Sequence, residues 1–285
     1  MLLGTVLLWA LNVTVTKYMF DHGWKPLAYG TIRYFAAIAL FWIFTYRRER
    51  SFRIARKDLP LVLVAAFFIF VNQICFVYGL KLAEASTVAL ILGTTPAFIG
   101  VIALALGLDR LPWPFWVGVG ITFGGVALIA LSSGRVGSSL EGTLIALATA
   151  FTWAAYTTAI APLMRTYSPY RISALVLAIG WVPLALISIP SLQRETFSFG
   201  WPVWLGLGYA IVGPLFLTNI LWFRAIDIVG PARASLFGNL QPFFAVFFAL
   251  VLLGEHLRGL EVGGGVLIFA GIALERLYRR APLVE

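Results

Sequence analysis

The sequence predicts an all-α polytopic membrane protein, with ten transmembrane helices arranged as two inverted five-helix repeats around a central cavity. Three observations predict it. Hydrophobic residues make up 61% of the chain and charged residues only 12%, whereas soluble domains carry roughly 25% charged residues. The apolar residues fall in runs of spanning length separated by short polar breaks. The chain also matches itself at a fixed shift.

Composition sets the solvent. A soluble fold of 285 residues could not hide this much apolar surface, so the bilayer must solvate most of it. At about 20 residues per span, the length accommodates ten helices joined by short loops. The formal charge of +9 sits in short Lys/Arg clusters between apolar runs, which fits membrane topology and not a continuous nucleic-acid-binding face. Cys75 is the single cysteine, so no intramolecular disulfide or cysteine metal cluster is expected, and its apolar setting reads as packing. The first apolar run begins at Met1 without a basic leader or a small-residue cleavage site and is expected to be a retained helix.

The spans run over about 1 to 20, 27 to 46, 59 to 81, 85 to 107, 112 to 132, 142 to 164, 171 to 190, 201 to 224, 232 to 253 and 259 to 277. Turn chemistry separates them, as at Asp21-His22-Gly23, Leu111-Pro112, Ser133-Gly134, Ser168-Pro169 and Val229-Gly230-Pro231. Barrel strands would alternate over about 10 residues, and these runs are longer and do not alternate. With the N-terminus inside, 14 Lys/Arg residues fall on the inner side, most of them in the Arg47 to Lys57 loop and at Arg276, Arg279 and Arg280. At most 7 fall outside, counting Lys17 and Arg33 from within spans. The positive-inside rule then places both termini in the cytoplasm.

A shift of 146 residues aligns Ala85 to Leu128 with Pro231 to Leu274 without a gap. Pro96 falls on Pro242, Phe98 on Phe244, Gly118 on Gly264, Phe123 on Phe269 and Gly125 on Gly271. Apolar composition does not co-align a mid-span proline with two glycines. Near the start of each half, Leu8-Trp9-Ala10 resembles Thr152-Trp153-Ala154 at a shift of 144. The halves are read as 1–134 and 141–280. Five helices is an odd number, so the second copy enters the membrane from the opposite side, an architecture recurrent in transporters.

The Trp9 and Trp153 signatures, Pro96 and Pro242, and Leu253-Gly254-Glu255 ahead of a glycine-rich last span resemble the drug/metabolite transporter superfamily, and within it the EamA-type bacterial exporters. The resemblance covers essentially the whole chain and is diffuse in its motifs. It implies a ten-helix basket around a central cavity, alternating access without ATP hydrolysis, and residence in the bacterial inner membrane. The first half has Gly107-Leu108-Asp109 where the second has Leu253-Gly254-Glu255, so no role is carried onto Asp109.

Polar side chains deep in a span face the bundle interior or a wet cavity. Trp9, Asn12 and Thr16 share one face of the first span, and Thr149, Trp153 and Tyr156 repeat the arrangement on the sixth. Asn72, Gln73, Phe76 and Tyr78 on the third span, Asn219 and Trp222 on the eighth, and Asn239 on the ninth complete the candidate substrate cavity. Interhelical packing is the competing reading, because amide and hydroxyl bonds between spans are ordinary. Pro96 and Pro242 are expected to bend their spans near the midplane and act as paired hinges. Arg33, Lys81, Glu84, Arg224 and Asp227 are candidate gate or coupling charges: Arg33, like Lys17, is about one to two turns from the outer end of its span and close enough to snorkel but is the leading functional charge, and the others also read as helix-end ion pairs. Glu255 and Glu261, at the outer boundary, read as solvated or capping.

These residues fit a carrier exporting small organic metabolites, amino acids first and aromatic ones as a narrower option. A phosphate-ester or nucleotide-sugar exchanger would need central cations, and a sensor or channel stays open because fold does not fix function. No enzyme is expected: His22 and His256 are in outer loops, hydrolase and metalloprotease motifs are absent, and Gly263-Gly264-Gly265 reads as helix packing. No cofactor or metal is expected. The partners are a small-molecule substrate and the lipid bilayer, not nucleic acid, with the chain a monomer or homodimer.

Overall fold

A computed structural model describes residues 1–107, 113–132, 139–218, 220–222, 238 and 240–279. Its helices are α1 (Leu2–Asp21), α2 (Pro26–Glu49), α3 (Leu59–Leu82), α4 (Ala85–Leu92), α5 (Thr95–Ala105), α6 (Trp113–Ser132), α7 (Leu140–Ile160), α8 (Pro169–Gln193), α9 (Trp201–Ile211), α10 (Gln241–Leu252) and α11 (Gly259–Arg279). No strand occurs among the described residues. Among them, eight helical stretches are long and apolar enough to cross a membrane, with α4 and α5 counted as one stretch, and Gln241–Leu252 and Gly259–Leu274 are shorter apolar helices.

Local chemistry starts these helices where the sequence breaks. Proline occupies the first turn of α2, α3, α5, α8, α9 and α10, where its missing N–H costs nothing and its fixed φ suits the helix. Ser139 Oγ accepts from Gly142 N–H at 2.9 Å to cap α7, and Ser168 Oγ accepts from Arg171 N–H at 3.2 Å to cap α8. The cap of α4 comes from far away in sequence. Glu255 accepts from the Ala85 and Ser86 N–H groups, both at 2.8 Å, and from Ser86 Oγ at 2.6 Å, placing a carboxylate at the positive helix end.

Two spans depart from a continuous α-helix. The fourth divides between α4 and α5 at Gly93 and Thr94, so the bend expected at Pro96 takes the form of a break with proline in the first turn of the new helix. Threonine hydroxyls take the carbonyls the break releases: Thr94 Oγ1 donates to Ile91 O at 2.8 Å and Thr95 Oγ1 to Leu92 O at 2.7 Å. Pro242 occupies the same place at the start of α10, and a Cβ on Gly93 would lie 3.6 Å from the Pro242 ring. In the eighth span, Val212–Leu217 forms a π turn around Pro214, which cannot donate to the carbonyl one turn back.

Among the described residues the most extensive helix contact is between α6 and α11, and α3 packs on α7, α2 on α8, α1 on α10, and α5 on α7. Glycine makes the α6–α11 approach possible. A methyl on Gly125 would collide with Gly264 O and come within 3.0 Å of Ile268 N. At Gly271 it would lie 2.5 Å from Gly118 O and 2.9 Å from Thr122 N. Backbone-to-backbone packing of this kind supplies van der Waals contact where lipid offers no hydrophobic drive. Large apolar side chains such as Phe35, Leu63, Phe67, Leu205 and Phe247 point outward and are exposed, as a lipid-solvated surface requires.

Candidate substrate site

The first three helices converge on one buried cation. Arg33, on α2, is 2% exposed. Its Nη2 donates to Gln73 Oε1 of α3 at 2.9 Å, and its Nη1 donates to Asn12 Oδ1 of α1 at 3.3 Å. The rings of Tyr29, Tyr34 and Phe76 surround the guanidinium carbon at 5.2, 5.6 and 5.5 Å, within cation–π range. Spacing accounts for the convergence: Tyr29 and Arg33 are four apart on one face of α2, and Gln73 and Phe76 three apart on one face of α3. Gly30 admits the amide, since a Cβ there would be 3.0 Å from Gln73 Nε2. A rise of 1.5 Å per residue puts Arg33, Asn12 and Gln73 about 10–14 Å from the neighbouring ends of their helices, well inside a hydrocarbon core of about 30 Å. Among the described residues no carboxylate pairs with Arg33, and its Nε is buried without a hydrogen-bond partner.

Around this centre, Thr16 Oγ1 and Tyr29 OH share a hydrogen bond of 3.2 Å. Trp9 donates through Nε1 to Pro214 O at 3.2 Å and packs against Trp222 at 5.3 Å between ring centroids. Tyr209 OH donates to Leu8 O at 2.7 Å, so α1 is tied at Leu8 and Trp9 to α9 and to the π turn that follows it. Pro214 was not among the candidate residues; a proline inside the eighth span is the signal that could have found it.

The structure places the other candidates differently. Asn72 is turned to α7, where its Nδ2 donates to Thr149 O at 2.9 Å and Thr152 Oγ1 at 3.1 Å, the packing arrangement. Trp153 and Tyr156 pack on each other at 5.3 Å. Tyr156 shares an apolar cluster with Tyr34, whereas Trp153 is 39% exposed. Tyr78 packs against the larger core cluster. Lys81 is exposed at the end of α3. Asn219, Asn239, Arg224 and Asp227 lie outside the described residues. A cleft of about 270 Å³, lined by Thr14, Val15, Tyr18, Met19, Pro202, Gly206, Leu252 and Leu253, involves none of the candidate cavity residues.

At the ends of α3, α10 and α11, three carboxylates gather. Glu261 is fully buried, accepting from Arg258 N–H at 2.9 Å and from Thr87 Oγ1 at 3.3 Å. Burial, and then the charges of Glu255 and Glu261, push the Glu84 carboxyl above the usual carboxylate range, against the pull of Arg258 and Lys17. Lys17 also pairs with Asp21 at 3.7 Å.

A helical chain of spanning segments with a polar centre held inside the bundle is a multi-pass membrane protein. The chain belongs to the EamA-like transporter family, which matches it over residues 1–131 and 140–275, and it is therefore a membrane transporter and not an enzyme. It is similar to an uncharacterized transporter of Archaeoglobus fulgidus, 26% identical over 94% of each chain. It is also similar to a probable amino-acid metabolite efflux pump of Salmonella typhimurium, 25% identical over 94% of this chain and 90% of that one. The aromatic amino acid exporter YddG of Ancylobacter novellus is 32% identical over 36% of this chain and 35% of its own. A solved crystal structure superposes with a TM-score of 0.65 at 20% identity, covering 99% of this chain and 98% of the other, which is a likeness of fold.

Proposed function

We propose that the protein is an alternating-access carrier that exports small organic metabolites, with amino acids as the leading class and aromatic amino acids a narrower option. The observation that carries this reading is the Arg33 centre: one cation, two amides and three aromatic rings held deep inside a transporter bundle. Such a lining suits a small zwitterionic solute. A phosphate ester would call for more than one buried cation. Two relatives, a probable amino-acid metabolite efflux pump and an aromatic amino acid exporter, point the same way.

The carrier is read as ten helices in two inverted halves, 1–134 and 141–280, with Pro96 and Pro242 at paired hinge breaks and both termini in the cytoplasm of a bacterial inner membrane. Three observations support the halves. The family matches twice along the chain. Shifting the Gly125–Gly264 and Gly125–Ile268 contacts by 146 residues turns them into Gly271–Gly118 and Gly271–Thr122, which also occur, as a two-fold relation requires. The α1–α10 packing has its counterpart in α7 against α4 and α5. The chain works as a monomer or homodimer.

Counterflow in proteoliposomes loaded with single amino acids tests the carrier: labelled amino acid should accumulate transiently only when the unlabelled form is inside. Absence of counterflow for a full amino-acid panel would remove amino-acid exchange. For topology, a cysteine at residue 50 in a Cys75→Ala background should label from the cytoplasmic side, and labelling only from outside would reverse the orientation.

A further inference from the structure

We propose that Arg33 anchors the carboxylate of the bound solute, so that the site takes monoanionic carboxyl groups and discriminates against the corresponding amines; this rests on the carrier reading above.

Among the described residues the charge has no internal answer. A guanidinium held at this depth is costly unless compensated, and the described groups that touch it are neutral: two amide oxygens and three ring faces. By contrast Arg171, part-buried at the start of α8, is paired with Glu49 at 2.7 Å. Of five N–H donors, the described contacts of Arg33 engage Nη1 and Nη2, while Nε is buried and unpartnered. The Nη1 bond to Asn12 is long at 3.3 Å and lies on the part-buried side, whereas the Nη2 bond to Gln73 is fully buried. The α1 side is thus where a stronger acceptor would displace a weaker one. A carboxylate carries acceptors only, forms parallel bonds to a guanidinium at about 2.7–2.9 Å, and matches its single charge. The surrounding rings keep water away and strengthen the contact.

The test uses purified full-length protein. Ligand-induced thermal stabilisation is measured with L-phenylalanine and L-leucine, with their decarboxylated amines phenethylamine and isoamylamine, and with acetate. Counterflow is measured separately in proteoliposomes. The wild type should bind each amino acid about 10- to 100-fold more tightly than its amine, as expected for loss of a charge-assisted contact. Arg33→Gln should bring acid and amine to parity, Arg33→Lys should keep the preference at lower affinity, and Arg48→Gln, which removes an exposed charge from the same helix, should match the wild type. Gln73→Glu places a near-isosteric carboxylate where Nη2 already bonds. It should hold or raise the melting temperature while lowering amino-acid affinity at least about tenfold, which keeps the test decisive even if Arg33→Gln folds poorly. Carboxylate-selective binding without counterflow would support the anchor and count against the carrier. Equal binding of acids and amines, an unchanged preference in folded Arg33→Gln, protection by acetate that survives undiminished in folded Arg33→Gln, or no binding by any of these compounds would each overturn the anchor.

Discussion

Replacing Gly125 by alanine tests whether the α6–α11 seam is a backbone contact. The added methyl would meet Gly264 O, with Ile268 Cγ1 at 2.9 Å and Ile268 N at 3.0 Å. Ordinary carbon contacts are about 3.5–4.0 Å, so the helices must part by roughly 0.5–1 Å. Overpacking of this kind costs about 1–3 kcal/mol. Exposed Gly124, one residue along the same helix, has nothing within 4 Å of its would-be Cβ. There alanine should gain up to about 1 kcal/mol of helix propensity. Gly125→Ala should therefore be less stable than Gly124→Ala by about 1–4 kcal/mol, the range set by those two effects. Gly271→Ala should behave like Gly125→Ala, because its methyl meets Gly118 O and Thr122 on the facing helix. The double variant should lose less than the two single losses together, since one separation of the helices relieves both collisions. Reversible unfolding in mixed micelles, followed by tryptophan fluorescence, gives the ranking. Equal stability of Gly124→Ala and Gly125→Ala would refute the close seam, and strict additivity would refute the shared separation.

Asn72→Ala removes the amide bonds from α3 to Thr149 and Thr152 and should cost about 0.6 kcal/mol, the average for such intramembrane bonds, and at most about 1.7 kcal/mol; if the residue is packing, counterflow by the folded variant stays near wild type, and an unchanged stability with lost transport would assign it to the lining. Because the Glu84 carboxyl lies above the usual range, the folded state holds its proton more firmly than the unfolded state. Its ionisation therefore lowers stability as pH rises through that raised value, and the penalty fades as pH falls toward the ordinary glutamate range. Glu84→Gln should then stabilise the protein at neutral pH and flatten its melting temperature between about pH 4 and 7; a variant as pH-sensitive as wild type would contradict this. Pro96→Ala restores an N–H one turn after Leu92 O, which Thr95 Oγ1 already occupies, so counterflow should slow further in Pro96→Ala/Thr95→Val than in either single variant, and equal rates in all of them would make the break incidental.

The membrane class, the apolar helices and the small-residue face of the last helix were legible in the chain alone, because they depend on hydrophobic partition and helical period among neighbours in sequence. Gly264 illustrates this: its place in an apolar run already read as packing, and its partner is the Gly125 backbone. Asn12, Gln73 and Arg33 were legible as deep polar residues but not as partners, since no local rule tells which of several polar faces will meet across a bundle. Neighbouring Asn72 and Gln73 show the consequence: a rotation of about 100° between successive residues sends one to α7 and the other to the cation on α2. Glu255 read as solvated or capping from its boundary position, and nothing local showed that the helix it caps begins 170 residues earlier in sequence. The break at Gly93 and Thr94 depends on threonine hydroxyls accommodating the released carbonyls and on the approach of Pro242. The sequence by itself thus determined the solvent, the helices and where polarity enters the membrane. Only the tertiary structure decided which polar groups answer one another, because in lipid each must find its partner on another helix, and helix-to-helix pairing is not written in any local pattern.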